Sequence, residues 1–343
     1  MKKILTTLYV TNPKAYLKLD GGNIVVTSNH ETVAKLPLIS FEGIVTFGYP
    51  GASPGLMRYC LEHNVALSFL SETGQFCGRL TGELNGNVLL RRAQYRVADS
   101  ETEALQLAKA FLIGKLFNQR WVLARAKRDH SLVVSATQLD AAIQQLREGL
   151  QALKKVNDAT TLRGIEGNTA RAYFSVFGEL ILQQQSEFSF SDRSRRPPLD
   201  RTNALLSYAY TLLAHDCAAA LEAVGLDAYV GFLHTDRPGR TSLALDLMEE
   251  LRSVFADRFV LTLINKRMVR KRDFMSQEDG AVLLTEQGRR TVLAAWQDRR
   301  SEQLVHPFLK EKIQWGLVPH VQALLLARYL RGDIDAYPPF LWK

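Results

Sequence analysis

The chain has 343 residues, with 43 Lys and Arg against 35 Asp and Glu, a formal charge of +8 and a pI near 9.4. That length accommodates two domains with separate cores, and 46% hydrophobic with 23% charged residues excludes a disordered or fibrous chain. No apolar run approaches the roughly eighteen residues of a membrane span. Asn12, Pro13 and Lys14 cut the opening MKKILTTLYV before a secretory apolar core forms. A cytoplasmic protein without membrane attachment is expected. Cys60, Cys77 and Cys217 are odd in number, widely spaced and in apolar surroundings, so they read as reduced packing residues. The positive balance favours a polyanionic partner, although basic proteins without one are common.

Residues 1–95 read mainly as short strands. ILTTLYV, NIVVTS, TVAKLPL, GIVTFG, VALSFL and GRLTG are broken by DGG, SNH, GYPG, SETG and NGN. One helix interrupts them, with Ser53 as N-cap and Pro54 as first helical residue before LMRYCLEHN. Gly48-Tyr49-Pro50-Gly51 lacks the Lys-Ser/Thr of a phosphate loop and reads as a plain turn. From Arg91 to Lys155 the chain is polar, Ala/Leu/Gln-rich and nearly free of Gly and Pro, which predicts long amphipathic helices with a break near Ser131. Helical periodicity continues over 169–185, 202–224, 241–256, 285–301 and 318–331. Strands followed by a block of helices predict an α+β protein: a β-rich domain over 1–95, then a larger all-α domain over 96–343.

Three segments of the helical block carry the chemistry. In LRGIEGNTARAYF (162–174), Glu166 lies between Gly164 and Gly167, small neighbours that admit a large ligand, with Thr169 at an expected helix start. Taken alone, this reads first as an acid stabilised by a helix dipole. In GFLHTDRPGR (231–240), His234 ends an apolar run and opens a basic turn with Arg237 and Arg240. In TSLALDLMEELR (241–252), Asp246 and Glu249 share a helix face, where a divalent cation or a salt bridge to Arg240 or Arg252 would relieve their repulsion. Carboxylate, imidazole and carboxylate suit Mg²⁺ or Mn²⁺ better than thiolate-loving metals. The loop 186–203, SEFSFSDRSRRPPLDRTN, reads either as a mobile surface loop or as a platform placing Arg195 and Arg196 on phosphate. The run 265–274 gathers Lys266, Arg267, Arg270, Lys271 and Arg272 as polyanion contacts or a solvated face. GxxxxGK-Ser/Thr, HExxH and CxxC patterns are absent, which removes nucleotide-driven motors, zincins and thiol redox enzymes. The residues themselves point to a metal-dependent enzyme acting on DNA phosphodiesters. A nuclease or resolvase for branched DNA would use the same site, and an architectural DNA-binding protein would use only the basic patches.

The same three segments resemble the integrase of CRISPR adaptation, the CRISPR-associated DNA endonuclease that inserts new spacers, with a type I system as the expected branch. The resemblance runs over most of the chain, specific in the C-terminal motifs and by pattern alone in the N-terminal third. It implies metal ligation and catalysis by Glu166, His234 and Glu249, Asp246 being the alternative third ligand or a support for His234. It also implies Mn²⁺ or Mg²⁺, and joining of short duplex DNA through its 3′-hydroxyls into a CRISPR repeat. Its further implications are a homodimer formed through the strand domain and a heterohexamer with a smaller CRISPR-associated adaptation subunit. Arg195, Arg196, Arg237, Arg240, Lys266 and Arg270 are the candidate DNA contacts.

Overall fold

The computed structural model describes residues 6–29, 31–48, 51–63, 65–71, 76–80 and 88–343. His30, Tyr49 and Pro50 of the expected GYPG turn, most of SETG and all of NGN lie outside them. The strand part runs β1 (Thr6–Val10), β2 (Ala15–Asp20), β3 (Asn23–Ser28), β4 (Glu31–Pro37), β5 (Phe41–Phe47), β6 (Gly51–Ala52), α1 (Pro54–Glu62), β7 (Ala66–Leu70) and β8 (Phe76–Arg79). Two four-stranded sheets result, in the orders β1-β5-β7-β8 and β4-β3-β2-β6. Alternation does the sorting: in AYLKLD, Ala15 and Leu17 are buried while Tyr16 and Lys18 face water. Leu17, Ile24, Leu38, Ile44, Leu56 and Leu67 close the core between the sheets and α1. Gly51-Ala52-Ser53-Pro54-Gly55 has the letter spacing of a hydrolase nucleophile turn. Ser53 Oγ, however, accepts the Leu56 N–H at 3.2 Å and serves as the expected N-cap.

The helical part begins with α2 (Val88–Asp99), α3 (Glu101–Asp129), α4 (Ala136–Leu153), α5 (Ala159–Ser175), α6 (Arg201–Ala223), α7 (Ser242–Glu249) and α8 (Arg258–Asn265). Ser100, Ser135, Asp158 and Asp200 cap α3, α4, α5 and α6 through their side-chain oxygens. A π-helical turn, Arg252–Asp257, joins α7 to α8. Then follow β9 (Phe274–Ser276), β10 (Val282–Leu284), α9 (Glu286–Ser301), β11 (Gln303–Val305), β12 (Lys312–Gln314) and α10 (Val318–Leu330). The two small hairpins, β9–β10 and β11–β12, add strands to a region expected to be helical throughout.

The division expected between 95 and 96 falls inside α2, whose side chains join the helical core. Leu90 is buried there, and Gln94 donates to the Asp227 and Val230 carbonyls at 2.8 and 2.9 Å while accepting the Asp227 N–H at 2.9 Å. Phe47 and Leu70 also belong to the large helical core. Arg300 of α9 donates to Thr7 Oγ1 at 2.7 Å and pairs with Glu42, tying β1 and β5 to the helices. Cys60 and Cys217 are buried as expected; Cys77 is exposed, a departure from the packing role expected of all three.

Candidate metal centre

Helices α5 and α7 and the loop between α6 and α7 carry the candidate residues, and α3 adds a lysine between two of them. Glu166 sits in the middle of α5, because Asp158 rather than a residue near Thr169 starts that helix. Its side chain is 34% exposed, and a methyl at Gly164 or Gly167 would meet nothing within 4 Å. The two glycines thus leave the surface of α5 open on either side of Glu166 in the chain.

His234 ends the segment that Gln94 anchors at Asp227 and Val230. Gly231 is dictated by contact, since a Cβ there would lie 2.9 Å from Asp246 Oδ2 and 2.9 Å from Ser242 Cβ. Asp246 is fully buried in α7. Its Oδ2 accepts the Phe232 and Leu233 N–H groups at 2.6 and 3.0 Å, and its Oδ1 accepts the His234 N–H at 3.0 Å. The same Oδ1 lies 2.6 Å from His234 Nδ1. With Nδ1 engaged, Nε2 is the imidazole nitrogen left to face a ligand.

Glu249, at the end of α7, is also buried. Arg252 pairs with its Oε1 at 2.9 Å, one of the two arginine partners the sequence offered. Lys115 of α3 approaches its Oε2 at 2.9 Å, and Lys115 Nζ donates to Glu166 Oε1 at 2.6 Å. Burial works to raise the Glu249 pKa, but Arg252, then Lys115 and His234, outweigh it and hold the carboxyl down at about 2. Lys115 was not singled out from the sequence. Its only signal is a lysine among the buried positions Leu112, Gly114 and Leu116 of an otherwise core-facing stripe.

The donor chemistry fits a hard divalent ion: two carboxylates, and an imidazole whose far nitrogen is held by a buried carboxylate. Glu249 Oε2 is buried and already faces a cation, the Lys115 ammonium at 2.9 Å. As placed, however, no three His, Cys, Asp or Glu side chains among the described residues stand close enough to ligate one ion. Glu166 and Glu249 close on the Lys115 ammonium instead. A cleft of about 1120 Å³ opens beside the site, lined by His234, Asp236, Phe232, Arg163 and Tyr95 among others.

The basic candidates lie on several surfaces. Arg195, Arg196, Arg237, Lys266 and Arg270 are exposed, and Arg240 is half-buried, donating to Thr235 Oγ1 and Ser242 Oγ at 3.2 and 3.3 Å. The loop 186–203 is anchored at its first half rather than mobile. Phe188 is fully buried against Phe274, and Phe190 packs on Phe174 and Phe177. Arg193, read from the sequence with Arg195 and Arg196 as a loop arginine, is turned inward: it donates to Asn203 and Ser207 and lies over the Tyr210 ring, which also receives Arg252 at 4.9 Å.

The family model described as CRISPR associated protein Cas1 matches residues 8–298. The chain belongs to the Cas1 family. It is 50% identical to CRISPR-associated endonuclease Cas1 2 of Rhodospirillum rubrum and 48% identical to CRISPR-associated endonuclease Cas1 1 of Chlorobaculum tepidum, each pair aligned over 100% of both chains. A CRISPR-associated exonuclease Cas4/endonuclease Cas1 fusion of Geobacter sulfurreducens is 35% identical over 98% of this chain and 60% of its own length. Among solved structures, a casposase bound to integration product has a TM-score of 0.84 at 24% identity, covering 99% of this chain and 95% of its own. A CAS1 protein from Thermotoga maritima has a TM-score of 0.80 at 19% identity, over 95% and 97%. These two share the fold. No helix among the described residues is long and apolar enough to cross a membrane.

Proposed function

We propose that this chain is a metal-dependent DNA endonuclease and integrase of CRISPR adaptation, joining short duplex DNA to the repeat array. The observation that carries the reading is the approach of Glu166 and Glu249 to one point, the Lys115 ammonium, with His234, held from behind by Asp246, in electrostatic reach of Glu249. Support comes from the endonuclease names of relatives sharing half its residues, and from the casposase of like fold caught with its integration product.

The reaction is transesterification. A 3′-hydroxyl oxygen attacks a repeat phosphorus, the phosphorus–oxygen bond to the repeat's own 3′-oxygen breaks, and the attacking hydroxyl's proton passes to solvent or to the departing oxygen. Glu166, His234 and Glu249 would hold Mn²⁺ or Mg²⁺, which supplies Lewis acidity to the phosphate oxygens. Asp246 has both oxygens committed to the His234 loop, which supports a positioning role and leaves Glu249 as the third ligand. Arg252 fixes Glu249, while Arg237 and Arg240 would neutralise phosphate charge. Arg195, Arg196, Lys266 and Arg270 would track the duplex backbone.

A homodimer bridged by a smaller adaptation subunit completes the assembly in this reading, in the cytoplasm. A fold neighbour solved as a Cas6-RT-Cas1–Cas2 complex, of TM-score 0.82 at 23% identity, supports a partner of that kind. The test is incubation with a labelled duplex and a supercoiled repeat plasmid, in Mn²⁺ or in EDTA. Joined product with Mn²⁺ alone is expected. Cleavage without joining would make the chain a nuclease or resolvase, and metal-independent binding alone would make it an architectural protein.

A further inference from the structure

Lys115 places an ammonium against both glutamates read above as metal ligands. We propose that Lys115 is the resident counter-ion of the Glu166–Glu249 pair and competes with the divalent ion for the same two carboxylates, so that it positions the site and sets its metal affinity. This rests on the metal reading given above.

The geometry is specific. Lys115 is only 6% exposed, and its Nζ lies 2.6 Å from Glu166 Oε1 and 2.9 Å from Glu249 Oε2. A buried ammonium must be paired, and two carboxylates facing one another must be neutralised; each need meets the other here. Glu249 Oε1 is already taken by Arg252. Oε2 is therefore the oxygen Glu249 can offer an ion, and Lys115 stands on it.

The backbone of α3 cannot retreat to make room. Asn118 Nδ2 donates to the Glu250 and Phe340 carbonyls at 2.7 Å each, and its Oδ1 accepts the Trp342 N–H at 2.9 Å. One turn earlier Gly114 abuts Glu250, whose Cγ would lie 2.9 Å from an added Cβ. Exchange of lysine for ion thus falls to the lysine side chain, which swings on a fixed helix. Two cations bound to the same oxygens are linked reciprocally: whatever the ammonium gains from the pair, an ion must overcome. The arrangement keeps the glutamates in place without an ion, at the cost of affinity when one arrives.

The experiment measures Mn²⁺ binding to the full-length chain by calorimetry and by the loss of free-Mn²⁺ EPR signal, with no DNA present. Lys115→Met keeps the aliphatic stem and removes the charge. It should bind Mn²⁺ at least about 5-fold tighter than wild type, the lower end of ordinary site-to-site coupling. It should also melt lower in chelator and gain more in Tm on Mn²⁺ addition. Lys115→Arg keeps the charge and should bind no tighter than wild type. Lys115→Gln serves as the second neutral variant should Lys115→Met not fold. Unchanged or weaker Mn²⁺ binding by the neutral variants overturns the competition. Glu249→Gln is the parallel arm: undiminished Mn²⁺ binding there would overturn the metal reading itself, and the competition with it.

Discussion

Glu249 and Glu250 follow one another in the chain and both leave solvent, yet they end in different states. Burial opposes ionisation in each, but the cations Arg252 and Lys115 hold Glu249 at about 2, whereas among the described residues only neutral donors reach Glu250, and it is pushed up to about 8. Those donors are the Tyr337 hydroxyl at 2.7 Å, the Phe340 N–H at 2.6 Å and the Gln322 amide at 2.8 Å. The letters MEE say nothing of this; partners from α3, α10 and the C-terminal tail decide it. Glu250 therefore keeps its proton in the folded chain up to about pH 8, while the unfolded chain releases it near 4.5. Its contribution to stability is fully present below pH 4.5 and declines as pH rises towards about 8. Relative to wild type, Glu250→Gln should flatten that decline in denaturant midpoints across the window; parallel curves would refute the neutral state. For the catalytic reading, Glu166→Ala, His234→Ala and Glu249→Ala should each abolish Mn²⁺-dependent joining while leaving duplex affinity nearly intact, since affinity comes mostly from basic side chains. Asp246→Asn should lower Mn²⁺ affinity by about 10–100-fold through a loosened His234. An Asp246→Asn site that binds like wild type, beside an inactive Glu249→Ala, would confine Asp246 to folding.

At the scale of elements, the loop between α6 and α7 is the part most tightly specified. Gln94 holds its start, Asp246 its end, and Gly231 lets the two approach. Gly231→Ala forces a Cβ against Asp246 and Ser242, so it should destabilise the chain by about 1–3 kcal/mol and weaken Mn²⁺ binding together. A Tm and an Mn²⁺ titration check both. The helices here were legible in the sequence: the α3–α4 break by Ser131, α6, α9 and α10 all follow from helical periodicity. The start of α5 was not, because GIEGN reads as a breaker while Asp158, eight residues before Glu166, supplies the cap. The hairpins β9–β10 and β11–β12 were missed because three-residue strands carry no period. Lys115 was missed for a related reason: its partners lie on α5 and α7, and no local pattern separates a buried cation from a solvated one. The run 266–272 can be tested as an element. Its lysines and arginines are exposed, so Arg270→Glu with Lys271→Glu should weaken duplex binding and reduce the salt slope by about 0.9 for each phosphate no longer neutralised. An unchanged slope would make the run a solvated face.

The whole molecule is not two independent halves. Phe47 and Leu70 complete the helical core, and Arg300 reaches back to Thr7 and Glu42, so the strand part supports the part that holds the site. A fragment beginning at Arg96 would lose Leu90 and Gln94 and with them the anchor of the His234 loop, whereas one beginning at Val88 keeps α2 whole. The Val88 fragment should therefore retain more helix and more Mn²⁺ affinity than the Arg96 fragment, by circular dichroism and titration. What the strand part offers beyond support is an outer sheet ending in β4, whose residues are exposed almost throughout, with Val33 at 65% and the neighbouring Ile39 at 81%. A sheet edge with unpaired backbone groups and exposed apolar side chains is a surface that proteins ordinarily cover. Joining both ends of one duplex also requires two active sites held at a fixed separation, which a dimer through this edge would supply. Full-length chain should sediment as a dimer, and Val33→Lys with Ile39→Lys should shift it towards monomer with little loss of Mn²⁺ affinity. The same variant should still join single ends but lose two-ended products. A monomeric wild type, or a Val33→Lys, Ile39→Lys variant that remains dimeric, would rule out this edge as the interface.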